Sequence, residues 1–244
     1  MKKLLILTFV AAAALAAMAQ ARGTTRGGAH GAGGGAMQAK GKQAKVVIDA
    51  VSSPRNCLCF PPSLGANGTL MAPLNRKYKW AVLEMKYKTF ARWMDELTVT
   101  WHVLAQVSKQ EQNKNANDLK RGEIDELPPE FSYYTATTRF QNLPEGDHMA
   151  GACLPAMFVE RFGEPVVVTA VIMNKEGDTL VSRTESTITL PVKKGDNWWE
   201  SETIMESRDK KTGRALVERR SGLLDRSKTP FALVNPADYE FVAQ

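Results

Sequence analysis

Apolar and polar residues alternate with a period of two along much of the chain after residue 45. The clearest run is 92–107. Trp93, Leu97, Val99, Trp101, Val103, Ala105 and Val107 point one way there, and Met94, Glu96, Thr98, Thr100, His102 and Gln106 point the other. This spacing predicts a long half-buried strand with Trp93 and Trp101 in the core and His102 on the surface. Leu104 breaks the pattern on the polar side and Asp95 on the apolar side. A carboxylate on an apolar face is costly unless it is paired or near an open strand end, so Asp95 is expected near such an end. In 78–90, Ala81, Leu83, Met85 and Tyr87 alternate with Val82, Glu84, Lys86 and Lys88, predicting a second strand.

Shorter strands are predicted at 45–51 and 131–140, and 166–173 is apolar on both faces, as a central strand would be. The sequence NKEGD then leads into 179–190, a hairpin in which Gly177 supplies a positive φ. A last strand pair is predicted around 204–208 and 214–219, joined by DKKTG, as a C-terminal hairpin. Helix signals are few: Pro155 can open a short helix through Phe162, ended by Gly163 and Pro165, and 223–226 can form a further turn. The polar stretch 108–130 reads as a long excursion with one helical turn near 117–121. Roughly seven to nine antiparallel strands without alternating helices predict a mainly β fold. An immunoglobulin-like sandwich with one or two short helices and a C-terminal extension is favoured. A lipocalin-like barrel would need more even strand lengths than the gap at 108–130 allows.

The first 44 residues change the picture. Residues 1–21, MKKLLILTFVAAAALAAMAQA, have a positive start at Lys2 and Lys3, an apolar run and a small-x-small ending at Ala19-Gln20-Ala21. These are the parts of a secretory signal peptide, and the run is shorter than the ~20 residues a membrane-spanning helix needs. No Cys for lipid attachment follows it, and no prepilin cut precedes it. Residues 22–44 are Gly-rich with almost no large apolar side chain, the composition of a flexible tether. The body is therefore expected to occupy 45–244, exported to the periplasm, the outer membrane surface or the outside, with no transmembrane helix in the mature chain.

The chain has 244 residues, 43% of them hydrophobic and 24% charged, an ordinary globular composition. Its formal charge is +6 from 32 Lys and Arg against 26 Asp and Glu. Removing Lys2 and Lys3 leaves 30 − 26 = +4, too mild to imply nucleic acid. The basic run 207–228 has eight Lys and Arg interleaved with Asp209, Glu218 and Asp225, and reads as a solvated hairpin.

Candidate chemistry is thin. GAMQAKGK at 35–42 has the wrong spacing for a phosphate loop and no preceding strand. Cys57, Cys59 and Cys153 are the disulfide candidates. In an oxidising compartment Cys153 paired with Cys57 or Cys59 would close a loop of roughly a hundred residues, worth ~4–5 kcal/mol in the chain-entropy model. His148 lies five residues from Cys153 and admits a thiol-enzyme reading, although no third orienting residue can be named. His30 falls in the tether, and three scattered histidines give little support for a metal. Trp198 and Trp199, flanked by Asp196, Asn197 and Glu200, could form an exposed platform for sugar, against the commoner fate of burial for at least one ring. No catalytic, cofactor or metal residue is assigned.

The leader, the Gly-rich stretch, the body with NLPEGDHMAGACLP at 142–155 and the ending TPFALVNPADYEFVAQ at 229–244 together resemble a known group. It comprises small exported proteins associated with type IV pilus-like systems of gut-dwelling Gram-negative bacteria. The resemblance implies an immunoglobulin-like fold, no established enzyme activity and a protein partner in the cell envelope or pilus. Without a prepilin leader, the role it implies is accessory or surface-associated. The expected function is thus a non-enzymatic binding or assembly protein. A carbohydrate-binding module using Trp198 and Trp199 is the first alternative, and a thiol-dependent enzyme the second.

Overall fold

Two strands of unusual length carry the architecture. The computed structural model describes residues 45–64, 70–71, 78–108, 129–193, 196–210 and 212–235. Expectations for 1–44, for the helical turn at 117–121 and for most of the 108–130 excursion lie outside these residues. The two alternating runs at 78–90 and 92–107 merge into one strand, β5 (Trp80–Gln106), preceded by β1 (Val46–Val51), a 3-10 turn at Pro54–Asn56, β2 (Leu58–Cys59), β3 (Ser63–Leu64) and β4 (Leu70–Met71). The expected strand at 131–140 runs on to residue 154 as β6 (Phe131–Leu154). After α1 (Ala156–Phe162) come β7 (Glu164–Met173) and β8 (Thr179–Ser186). A 3-10 turn at Trp198–Glu200, α2 (Glu202–Met205), β9 (Val217–Arg220), β10 (Leu224–Asp225) and two further 3-10 turns at Arg226–Lys228 and Pro230–Leu233 complete the order. Among the described residues the chain is mainly β, with eight strands in one sheet, antiparallel apart from the β6–β9 pair, and two short helices.

β5 and β6 pair along nearly their whole length, from Ala81 opposite Leu154 to Gln106 opposite Phe131. The ladder breaks between Thr89 and Trp93, where the register shifts. Such irregularities bend a strand and let it pass from one layer to another. On one edge of β5, β1 and β2 pair with the first half and β7 with the second. The bend is large, because Tyr78 and Lys79 at the entry to β5 line the same cleft as Gln106 and Ser108 at its exit. One sheet thereby supplies both apolar faces of a two-layer core. Ile48, Leu83, Met85 and Tyr87 from the first half cluster with Leu97, Val99, Trp101, Val103, Val168 and Ile172 from the second. Arg183 on β8 donates to the Asp49 carbonyl on β1 at 2.6 Å and ties the halves across the top.

Several expectations change here. Trp93 was placed in the core but is 54% exposed, because it sits at the bend where neither layer covers it. Asp95 is exposed next to that bend, an open position of the kind expected for it. His102 was placed on the surface but is buried, and so is Leu104. Both lie under a further apolar layer in which Trp198, Ile204 and Val217 pack on Leu104, Tyr133 and Val167. That layer also explains why Glu202–Met205 is a helical turn where a strand was expected: it lays Ile204 onto the outer face of β5 and β7. The C-terminal hairpin shrinks to a single bridge between Arg208 and Ala215, and β9 instead pairs in parallel with β6.

Candidate functional site

The three cysteines are free thiols. Cys59 pairs with Trp80 on one side of β5, Cys153 pairs with Val82 on the other, and the Cys57 carbonyl accepts from Val82 N on the Cys59 side. Partners separated by an intervening strand lie ~9.5 Å apart at the backbone, beyond the ~7 Å a disulfide can span. The expected bridge from Cys153 to Cys57 or Cys59 is therefore not made. Burial pushes the Cys57 and Cys153 thiols up to about 12, and raises Cys59 as well. The Cys57 thiol donates to the Pro54 carbonyl at 3.2 Å, and Thr229 from the C-terminal segment covers Cys153 at 3.7 Å. Thiols so protonated are poor nucleophiles.

His148 does not approach Cys153. Both lie on β6, and an odd spacing of five on a strand sends the side chains to opposite faces. His148 faces the core, stacked on Tyr87 at 5.2 Å, with Nε2 2.9 Å from Thr89 Oγ1 and 3.0 Å from the Pro144 carbonyl. It braces the inside of the bend.

The tryptophan pair is divided between layers. Trp198 is buried, its Nε1 donating to Thr169 Oγ1 at 2.8 Å, so it is not part of an exposed platform. Trp199 is half-buried and lies flat on His102, with ring centroids 4.0 Å apart and planes within 8°. His102 Nδ1 is 2.7 Å from Tyr133 Oη. Burial lowers the His102 pKa to about 4, so the imidazole is neutral, and burial raises that of Tyr133. Thr169, paired directly with His102 across β5–β7, completes a polar seam beneath the outer layer. The alternation pattern assigned His102 to solvent; the signal against that was Leu104, two positions on and on the same face.

A concave surface lies elsewhere, where the two ends of β5 meet α1. It encloses ≈ 520 Å³. Arg55 and Lys79 contribute cations from the 54–56 turn and the entry to β5, while Glu160 and Glu164 contribute anions from α1 and the start of β7. All four are exposed, and among the described residues none of them is in an ion pair. Gly163 shapes this region, with φ +94 and a space in which a Cβ would stand 2.0 Å from the Gln106 carbonyl oxygen. Helix and strand thus meet backbone to backbone. Gln106 Nε2 donates to Glu130 Oε1 at 2.9 Å beside it.

Among the described residues no group of three or more His, Cys, Asp and Glu is placed to hold a metal ion. No helix there is long and apolar enough to cross a membrane. No protein-family model, curated protein or solved structure matches the chain.

Proposed function

We propose that the protein is a non-enzymatic binding or assembly module of the cell envelope, exported by residues 1–21, and that the cleft at the seam of β5 receives an extended segment of a protein partner. The observation that carries this reading is the cleft's charge arrangement. Arg55 and Lys79 come from one set of elements, Glu160 and Glu164 from another, and none is in an ion pair with another described residue. A peptide carrying both charge signs satisfies both sets, and such complementarity favours one partner and one register. The leader and the layout of the chain support a role accessory to a type IV pilus-like or other surface structure. The buried, protonated thiols weigh against nucleophilic chemistry.

The test is capture of partners from the protein's own cell envelope with tagged wild-type protein and with Arg55→Glu/Lys79→Glu. Expected is one dominant partner lost from the charge-reversed protein and retained by Trp199→Ala. Equal capture by wild-type and charge-reversed protein would remove the cleft from the reading. Loss only in Trp199→Ala, with binding to polysaccharide, would replace it with the carbohydrate module.

A further inference from the structure

β8 (Thr179–Ser186) ends the strand order β10-β6-β5-β7-β8, and among the described residues its only ladder is with β7. β1, in the other layer, reaches it through Arg183 and the Asp49 carbonyl and forms no ladder with it. Edge strands are commonly blunted by proline, lysine, bulges or shortness, which keeps other chains from pairing with them. β8 has eight residues and contains no proline, glycine or lysine. It keeps regular register with β7 from Val181 opposite Ile172 to Ser186 opposite Val167. Ser182, Arg183, Thr184 and Ser186 are exposed. Its one cation, Arg183, and its one anion, Glu185, cancel, so no net charge repels another strand.

The edge is also complementary to itself. Its last five residues read SRTES. Laid antiparallel to a second copy about a two-fold axis at Thr184, Ser182 stands opposite the partner's Ser186, Arg183 opposite the partner's Glu185, and Thr184 opposite the partner's Thr184. Directly opposed residues share a face and interact, and opposite charges there are favourable. Both cross-axis Arg–Glu pairs therefore fall on the face that already holds the in-chain pair of Arg183 with Glu185, at 3.2 Å. Those two side chains are 42% and 33% exposed, which leaves surface for a second contact. On the other face Thr184 Oγ1 lies 2.8 Å from Thr169 Oγ1, and the axis extends this hydroxyl row into the second copy. The charges also fix the register. Sliding the pairing by two residues either way would set Arg183 against the partner's Arg183, or Glu185 against the partner's Glu185, and like charges directly opposite are unfavourable.

We propose that two copies of this chain associate edge to edge through β8, antiparallel and centred on Thr184, so that their sheets run on into each other as a closed two-fold dimer. The proposal does not depend on what fills the seam cleft. Cysteine cross-linking of the full chain tests it, with copper–phenanthroline as oxidant and Cys59→Ser throughout to remove the half-buried thiol. Thr184→Cys is expected to give a disulfide-linked dimer, because a residue on the axis faces its own copy within the ~7 Å that a disulfide spans. Ser182→Cys and Ser186→Cys should each stay uncrosslinked alone, being ~14 Å from their own copies, and should link to each other when the two proteins are mixed. Arg183→Glu should slow the Thr184→Cys cross-link at least about fivefold, as like charges replace opposite ones across the axis, and adding Glu185→Arg should restore it. If Arg183→Glu folds poorly, judged by its melting temperature, the pattern of the three cysteine positions decides alone. A Thr184→Cys protein that stays monomeric, Ser182→Cys or Ser186→Cys linking as readily by itself, no link in their mixture, or a rate indifferent to charge in folded protein would overturn the proposal.

Discussion

Trp101 and His102 are neighbours on β5, point to opposite faces and are both buried. Trp101→Ala empties the middle of the main core and is expected to lower stability by ~3–5 kcal/mol, as large aromatic truncations do. His102→Ala removes the partner of Tyr133 Oη and the surface on which Trp199 lies, and should cost ~1–3 kcal/mol. Urea denaturation of the two variants checks this, and a loss below ~0.5 kcal/mol for His102→Ala would return it to the surface class. His102 also sets a pH dependence. Its folded value of about 4 lies below its ordinary 6.5. Between those values the unfolded chain binds more protons, so this contribution is fully present above pH 6.5 and is lost as pH falls towards 4, by about 3 kcal/mol at most. The stability difference between pH 7 and pH 4.5 should therefore be smaller in His102→Gln than in wild type. The thiols allow a separate check: brief alkylation of native protein at pH 8 should label half-buried Cys59 first and leave Cys57 and Cys153 until denaturant is added.

At the scale of elements, two glycines share a positive φ but differ in what surrounds them. Gly163 and Gly177 have φ +94 and +88, a region that L side chains rarely adopt. At Gly177, in the β7–β8 turn, an added Cβ meets nothing within 4 Å, so Gly177→Ala should cost only the local strain of ~1–2 kcal/mol. At Gly163 it would collide with the Gln106 backbone, so Gly163→Ala must separate α1 from β5. A much larger fall in melting temperature, or insolubility, is expected there; equal effects at both sites would mean that the contact relaxes freely. Elements like these were legible in the sequence because local chemistry decides them. Pro155 and Gly163 bound α1, and Gly177 turns the hairpin. The strand at 166–173, apolar on both faces, is the buried β7, flanked by β5 and β8. The strand expected at 204–208 was not legible. Ile204 and Met205 fit either period, and contact with Leu104 and Val167 selects the helical turn.

At the scale of the molecule, composition makes one claim about residues outside those described. Limited proteolysis is expected to trim 22–44 to about Lys45 and leave the body intact; protection of that stretch would refute the tether. Within the body, the alternation of 78–90 and 92–107 determined that the chain is β and which side chains share a face, because neighbouring residues on a strand must point oppositely. It could not determine that both runs belong to one strand, since a period of two carries no information on curvature. The bend at 89–93 decided that Trp93 faces solvent and that both ends of β5 meet in one cleft. Nor does alternation reveal a second covering layer: His102 looks like a surface residue until Trp199 lies on it. The cysteines follow the same division. Their number and separation are properties of the sequence, but whether they can bond depends on the strand lying between them. Local patterning settles the class of fold and the facing of residues because those depend on backbone sterics over a few positions. The cleft and the buried histidine depend on long-range packing, which brings together residues that the sequence holds far apart.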